Sequence, residues 1–289
     1  MPDLPDIQET EPKIKIPIYQ VGVQNVEVPF SLQSRSGNYR SIIANVSMRT
    51  SLNWKTKGIS MSRLLGTLRK YLDKPLKSRI IKNILLDMMK NIGTDNVYMK
   101  FEFRLPILKH SPITENSFPI YYKCSFEGQY LTTIYAPHGN VNEFRFYQGV
   151  RVQYASYCPC SYMLCEDLKS KGHSGFPHAQ RSFADIIIRN KPRSYIWLED
   201  IIDSVEDSIK TLPYPIIKRE DEQEIARLAG QNPIFVEDAI RSISQNLNSI
   251  EDIYDWAVKC THEESIHTSE AIAMNYKGIE EGFDSNFFL

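Results

Sequence analysis

From Val97 to Tyr157 the hydrophobic pattern settles into a period of two. "VYMKFEFRLPIL", "IYYKCSFEGQYLTTIY" and "NEFRFYQGVRVQYASY" are long, aromatic-rich and alternating, as antiparallel strands with one buried face must be. "APHGN" (136–140) reads as the turn between the last two. Strands this long need apolar partners, and the flanking segments supply them. "SIIANVSMRTSL" (41–52) reads as a strand. A helix is expected over 62–74, where Leu64, Leu65, Leu68, Tyr71 and Leu72 recur at helical spacing behind a capping Ser62. A second is expected over 78–93, with Ile80, Ile81, Ile84, Leu85, Met88 and Met89 on one face and Gly93 as its stop.

The second half repeats the mixture. "RSFADIIIRNKP" (181–192) alternates, and helices are expected over 197–212 and 233–248, the latter with Pro233 at an N1-like position after Asn232. Residues 255–278 read again as strand. Each half combines long antiparallel strands with a helix pair, an α+β class.

Charge excludes some partners. Lys and Arg number 34 against 35 Asp and Glu, so no global field draws the chain to nucleic acid or to an acidic membrane, and any anion must be held by a local cluster. The acidic, proline-containing start, "MPDLPDIQETEPKIKIP", lacks the basic and apolar regions of a signal peptide and reads as a mobile leader. The longest apolar runs, such as "ILL" and "ADIII", fall far short of the roughly 20 residues that span a bilayer. A soluble cytoplasmic protein is expected. There, an odd count of five cysteines argues against a disulfide framework and turns clustered thiols toward metal binding or catalysis.

Three of the five cysteines lie in "SYCPCSYMLC" (156–165), at the end of a long strand. Downstream come His173 and His178, then Glu220, Asp221 and Glu222 in "KREDE", Glu237, and His262 and His267 in "THEESIH". One thiolate, one imidazole and one carboxylate, with a water, would complete a four-coordinate catalytic site. The plainer alternatives stand beside it: Cys158 and Cys165 as small buried side chains, His262 as a solvated residue in an acidic run, "KREDE" as an exposed charge run.

The ordered motifs narrow the choice. "VGVQNVEVPF", "KGISMSRL" (57–64), "CPCS" (158–161), "HAQRS" (178–182), "LPYPIIKREDE" (212–222), "NPIFVED" (232–238) and "ESIH" (264–267) together resemble the type IB GTP cyclohydrolase family. The resemblance implies a tunnelling fold of two tandem modules, each an antiparallel sheet backed by a helix pair: residues 20–135 and 136–289 after a leader at 1–19. It implies homotetramers with active sites at subunit interfaces, and hydrolysis of GTP to formate and 7,8-dihydroneopterin triphosphate, the entry to folate synthesis. It assigns Cys160, His178 and Glu222 to a divalent zinc or manganese, with iron possible, and Glu237 to the guanine edge. His267 becomes a proton carrier in ring opening, and Lys57, Arg63 and Arg181 become candidates for the triphosphate. Cys160, Glu237 and His267 are the expected catalytic set.

The chain departs from the family's pattern at three places. Ser60 and Ser269 stand where family members usually carry histidines, and the segment between Cys160 and His178 is lengthened by "EDLKSKGHSGF", which brings in His173. A serine hydrogen-bonds but holds no proton near neutral pH, so the departures leave room for two other outcomes: a 2′,3′-cyclic phosphate product, as in the archaeal iron-dependent branch, or a weakened purine- or pterin-binding homologue.

Overall fold

The structure, a computed structural model, describes residues 7–133, 141–278 and 283. It is α+β, with eight antiparallel strands whose order in the sheet follows the sequence. The strands are β1 (Ile18–Gln33), β2 (Tyr39–Leu52), β3 (Val97–His110), β4 (Ser117–Thr133), β5 (Val141–Tyr157), β6 (Ala179–Asn190), β7 (Ile253–Glu264) and β8 (Glu270–Lys277). Six α-helices occur among the described residues: α1 (Met61–Arg69), α2 (Ser78–Ile92), α3 (Pro159–Ser170), α4 (Leu198–Ile209), α5 (Arg219–Gln231) and α6 (Val236–Ser249). No helix among those residues is long and apolar enough to cross a membrane.

The chain divides into two compact units, one formed by residues up to Arg104 with Ser125–Tyr147, the other by Leu105–Cys124 with Gln148 onward. The boundary expected at 135/136, and the turn expected at 136–140, lie outside the described residues.

In the first unit the alternation of β3 buries Val97, Met99, Phe101 and Phe103. Phe30 and Phe103 extend this face through edge-on contacts with Phe101 and Phe126. Helix α2 buries Ile81, Ile84, Leu85 and Met88, four of the six residues its spacing predicts for that face, while Ile80 and Met89 are half-buried. Its left-handed Gly93 (φ 74) returns an N–H to Met89 O at 2.8 Å. Gly128 on β4 allows the close approach of α2, because a Cβ there would stand 2.4 Å from Ile81 Cγ2. Helix α1 is shorter than expected: it starts after Ser60 rather than Ser62 and ends at Arg69. Tight turns follow, with Tyr71 N donating to Leu68 O and Lys74 N to Tyr71 O. Between β2 and α1, Lys57 N and Gly58 N donate to Thr10 O and Gln8 O of the segment ahead of β1.

In the second unit α4 packs on α6, and α6 lies against β7 and β8. Ile201, Ile202, Val205 and Ile209 of α4 and Ala239, Ile243 and Leu247 of α6 are buried. Asn246 Nδ2 adds hydrogen bonds to Ser204 O and Ser208 Oγ. Three expectations need correction here. The described residues of the second half carry four helices, α3 to α6, rather than a pair. Residues 255–278 form two strands divided by a turn at 265–269. Helix α6 begins at Val236, three residues beyond Pro233, because the preceding segment is tied elsewhere: Ile234 N donates to Tyr157 O at 3.0 Å.

Candidate functional site

The end of β5 turns directly into α3, with Pro159 in the first helical turn, where its missing N–H costs nothing. The cysteine cluster is therefore a helix start. Cys160 is exposed in that first turn, Cys158 is half-buried and Cys165 is buried. Residues 166–176 form the end of α3, which runs to Ser170, and the stretch beyond it, where His173 N donates to Leu168 O at 2.9 Å; the His173 side chain is exposed.

Backbone contacts bring His178 to this turn. His178 N donates to Ser161 Oγ at 3.3 Å, and Cys158 N to His178 O at 3.5 Å. The residue is half-buried, and its Nδ1 is buried with no hydrogen-bond partner. A buried imidazole nitrogen with an unused lone pair or proton is costly unless something else occupies it.

Glu222 lies exposed in the first turn of α5. "KREDE" is the exposed run its composition suggests except at Asp221, which is fully buried. Asp221 Oδ1 accepts from Ile113 N and Thr114 N, both at 2.9 Å, and Oδ2 from Lys218 N at 2.8 Å and Thr114 Oγ1 at 2.5 Å. Burial opposes ionisation of this carboxyl, but its four donors outweigh that and hold it well below the usual carboxylate range. The hairpin at 111–116 is thereby clamped to the start of α5, one residue before Glu222. The Cys160, His178 and Glu222 side chains are not gathered: among the described residues no three His, Cys, Asp or Glu side chains stand together so as to hold a metal ion.

The largest surprise is His262. Expected to be solvated, it is only 1% exposed, because on β7 it alternates in phase with the buried Val258 and Cys260. Its Nε2 is 2.8 Å from Tyr154 OH and its Nδ1 3.2 Å from Ser156 Oγ. Ser156 Oγ donates to Gln180 Oε1 at 2.5 Å and lies 2.7 Å from Ser182 Oγ. Gln180 Nε2 donates to Glu264 Oε1 at 2.7 Å. The register explains the row: Gln180 pairs with Glu264 and Ser182 with His262 across β6 and β7. Burial pushes the His262 imidazole down to about 4, against the pull of the nearby Glu237 carboxylate. Glu237 itself is exposed in the first turn of α6.

His267 stands exposed in the turn after β7, its Nε2 3.6 Å from Glu264 Oε2. Arg181 is exposed on β6, opposite Glu263. In the first unit, Ser60, Arg63, Ser51, Thr94 and Asp95 line a cavity of about 270 Å³. Arg63 Nη2 lies 3.3 Å from Glu9 Oε1 there, and Lys57 is exposed. The sequence reading missed Tyr154, Ser156, Gln180, Ser182 and Glu264, although period-two phasing with buried neighbours marks each.

Residues 4–273 match the family described as type I GTP cyclohydrolase folE2. The chain is 30% identical over 272 residues to the GTP cyclohydrolase FolE2 of Geobacter sp. strain M21, covering 94% of each chain. It is 31% identical over 276 residues to that of Pseudothermotoga lettingae, covering 96% of this chain and 99% of the relative. Among solved structures, a uricase from Bacillus fastidious superposes with a TM-score of 0.56 at 8% identity, over 89% of this chain and 92% of that one. The urate oxidase of Bacillus sp. TB-90 gives 0.54 at 8% identity, over 91% and 100%. At that identity the likeness is one of fold alone.

Proposed function

The chain belongs to the type I GTP cyclohydrolase folE2 family, and from that premise we propose how its residues divide the work of opening the guanine ring. The protein is a GTP cyclohydrolase of folate biosynthesis. The observation that carries this is end-to-end likeness to relatives of that name, over 94% of both chains in the Geobacter case.

In this reading, Cys160, His178 and Glu222, which do not stand together among the described residues, would hold a divalent zinc or manganese ion, iron being the other option. A thiolate, an imidazole and a carboxylate suit such an ion with one position left open, and the unpartnered His178 Nδ1 supports the imidazole's part in it. When bound, the ion supplies Lewis acidity and acidifies a water toward neutral pH. Asp221, locked by four donors, fixes the turn that presents Glu222.

Glu237 accepts the ring N–H and amino donors of guanine, which a carboxylate does with both oxygens. His267 takes and returns protons as the ring opens, a role suited to imidazole. Arg63, Lys57 and Arg181 bind the triphosphate by charge-assisted hydrogen bonds; the Arg63 cavity of about 270 Å³ supports this. Cys160, Glu237 and His267 form the catalytic set, and the products are formate and 7,8-dihydroneopterin triphosphate.

The finer architecture belongs to the same proposal: a type IB enzyme with a tunnelling fold of two tandem modules, assembled as a cytoplasmic homotetramer with interfacial active sites. Exposed Ile18 and Tyr19 on β1, and Ile272, Met274 and Tyr276 on β8, support assembly, since these are the first and last strands of the sheet order and open strand edges seek partners. The test is incubation of metal-loaded protein with GTP, assayed for formate and for a fluorescent oxidised pterin. Absence of both with zinc, manganese and ferrous iron would overturn the proposed chemistry.

A further inference from the structure

The polar row on β5, β6 and β7 has a direction. Glu264, as a carboxylate, only accepts hydrogen bonds, so the Gln180 amide must turn its NH₂ toward Oε1. Its carbonyl Oε1 then faces Ser156 and takes that hydroxyl's only proton. With its proton committed, Ser156 Oγ can only accept from its two remaining neighbours, so Ser182 O–H and His262 Nδ1–H both donate to it. The His262 tautomer is thereby fixed. Its bare Nε2 accepts from Tyr154 O–H. Every donor in the row, from Tyr154 through His262, Ser156 and Gln180, points toward Glu264.

Burial supports the assignment. Tyr154, Ser156, Gln180, Ser182 and His262 are all at most 5% exposed, so each bond is made where an unmade one would be expensive. A neutral imidazole is required for Nε2 to accept, and burial pushes His262 down to about 4. At the far end, Glu264 uses Oε1 for Gln180 and leaves Oε2 facing His267 Nε2 at 3.6 Å.

We infer that His262 is a positioning residue for the ring-opening chemistry: through Ser156 and Gln180 it locks the Glu264 carboxylate, whose second oxygen orients the His267 imidazole. The inference rests on the proposed role of His267 and adds the machinery behind it. His262 touches neither substrate nor metal in this account. Its contribution is to remove rotational freedom from a carboxylate that would otherwise swing at the start of an exposed turn, which matters because catalytic groups misplaced by small distances lose much of their effect.

A double-mutant cycle on the metal-loaded, full-length enzyme tests it. His262→Leu removes the donor to Ser156; His262→Asn keeps an N–H near the Nδ1 position. We expect His262→Leu to lower kcat about 10–100-fold, as loss of a supporting partner commonly does, with KM for GTP and metal content unchanged and with His262→Asn recovering much of the loss. In the His267→Ala background, His262→Leu should cost little further, because its effect passes through His267. Independent multiplication of the two losses would overturn the inference, as would an unchanged kcat in His262→Leu. Should His262→Leu fail to fold, Ser156→Ala breaks the same row and is held to the same outcomes. If His267→Ala itself keeps full turnover, it is the proposed role of His267 that falls, a result separate from additivity.

Discussion

Gln180 and Glu264 face each other across the β6–β7 ladder, and the Gln180 side-chain amide donates to Glu264 Oε1 at 2.7 Å. Gln180 lies two residues beyond His178 and Glu264 three before His267. This one bond thus joins the strand that begins directly after the orphaned imidazole to the strand end that leads into the turn carrying the exposed one.

The buried end of that row should make stability depend on pH. The His262 pKa is lowered by burial to about 4, against about 6.5 in an unfolded chain. As pH falls below about 6.5 the unfolded state takes up a proton that the folded state refuses, so the stabilisation is fully present above that pH and is lost progressively down to about 4. The full loss is roughly 2–3 kcal/mol, allowing for partial screening. Chemical denaturation at pH 7.5 and 4.5 should show this decline in wild type and a smaller one in His262→Asn. Equal declines would place the pH sensitivity elsewhere.

Cys160→Ala should abolish tight metal binding and turnover, whereas Cys158→Ala and Cys165→Ala should keep metal near the wild-type level. Metal analysis of the three purified variants decides it. Equal loss in all three would refute the assignment of the ligand to Cys160. Cys165 is buried beside Gly175, where an added Cβ would stand 3.3 Å from its Sγ, so its variant should show a lowered melting temperature instead.

Glu237→Gln keeps size and removes an acceptor, so one guanine donor would face an amide NH₂. Leaving that donor unpaired should weaken GTP binding by about 1–3 kcal/mol with metal content unchanged. Calorimetric titration with GTP and metal analysis separate the two quantities. Lost metal with unaltered GTP affinity would exchange the roles of Glu237 and Glu222.

Much of this is legible in the sequence. Helix α2 carried both its stripe and its Gly93 stop, signals that lie within one segment. The long strands announced themselves because their alternation is uninterrupted. What stayed hidden depends on distant partners. Asp221 is buried by donors at 113–114, more than a hundred residues away, so its acidic surroundings gave no hint of a clamp. Helix α3 was concealed because its start, "CPCS", reads as a loop motif. His262 sits beside Glu263 and Glu264, which masked a strand phase shared with Val258 and Cys260. The ligand and catalytic candidates came from the order of seven motifs, and spacing alone left both a metal site and buried thiols open.

Ser60→His with Ser269→His restores the histidines usual in the family. Turnover should rise, by up to about 10²-fold if a general acid–base group is regained, with metal affinity unchanged. If His173, just beyond α3, has taken over, the restoration should add little and His173→Ala should cut turnover in the unmodified protein. Steady-state rates of the two variants discriminate between these outcomes.

The central claim is that this chain opens the guanine ring of GTP with metal held at Cys160, His178 and Glu222. The most direct measurement is formate released per enzyme from GTP by wild type and by Cys160→Ala, each reconstituted with zinc, manganese or ferrous iron. The account expects multiple turnovers in wild type with at least one of the metals and none in Cys160→Ala. Formate release that survives unchanged in Cys160→Ala, or its absence from wild type with all three metals, would contradict it.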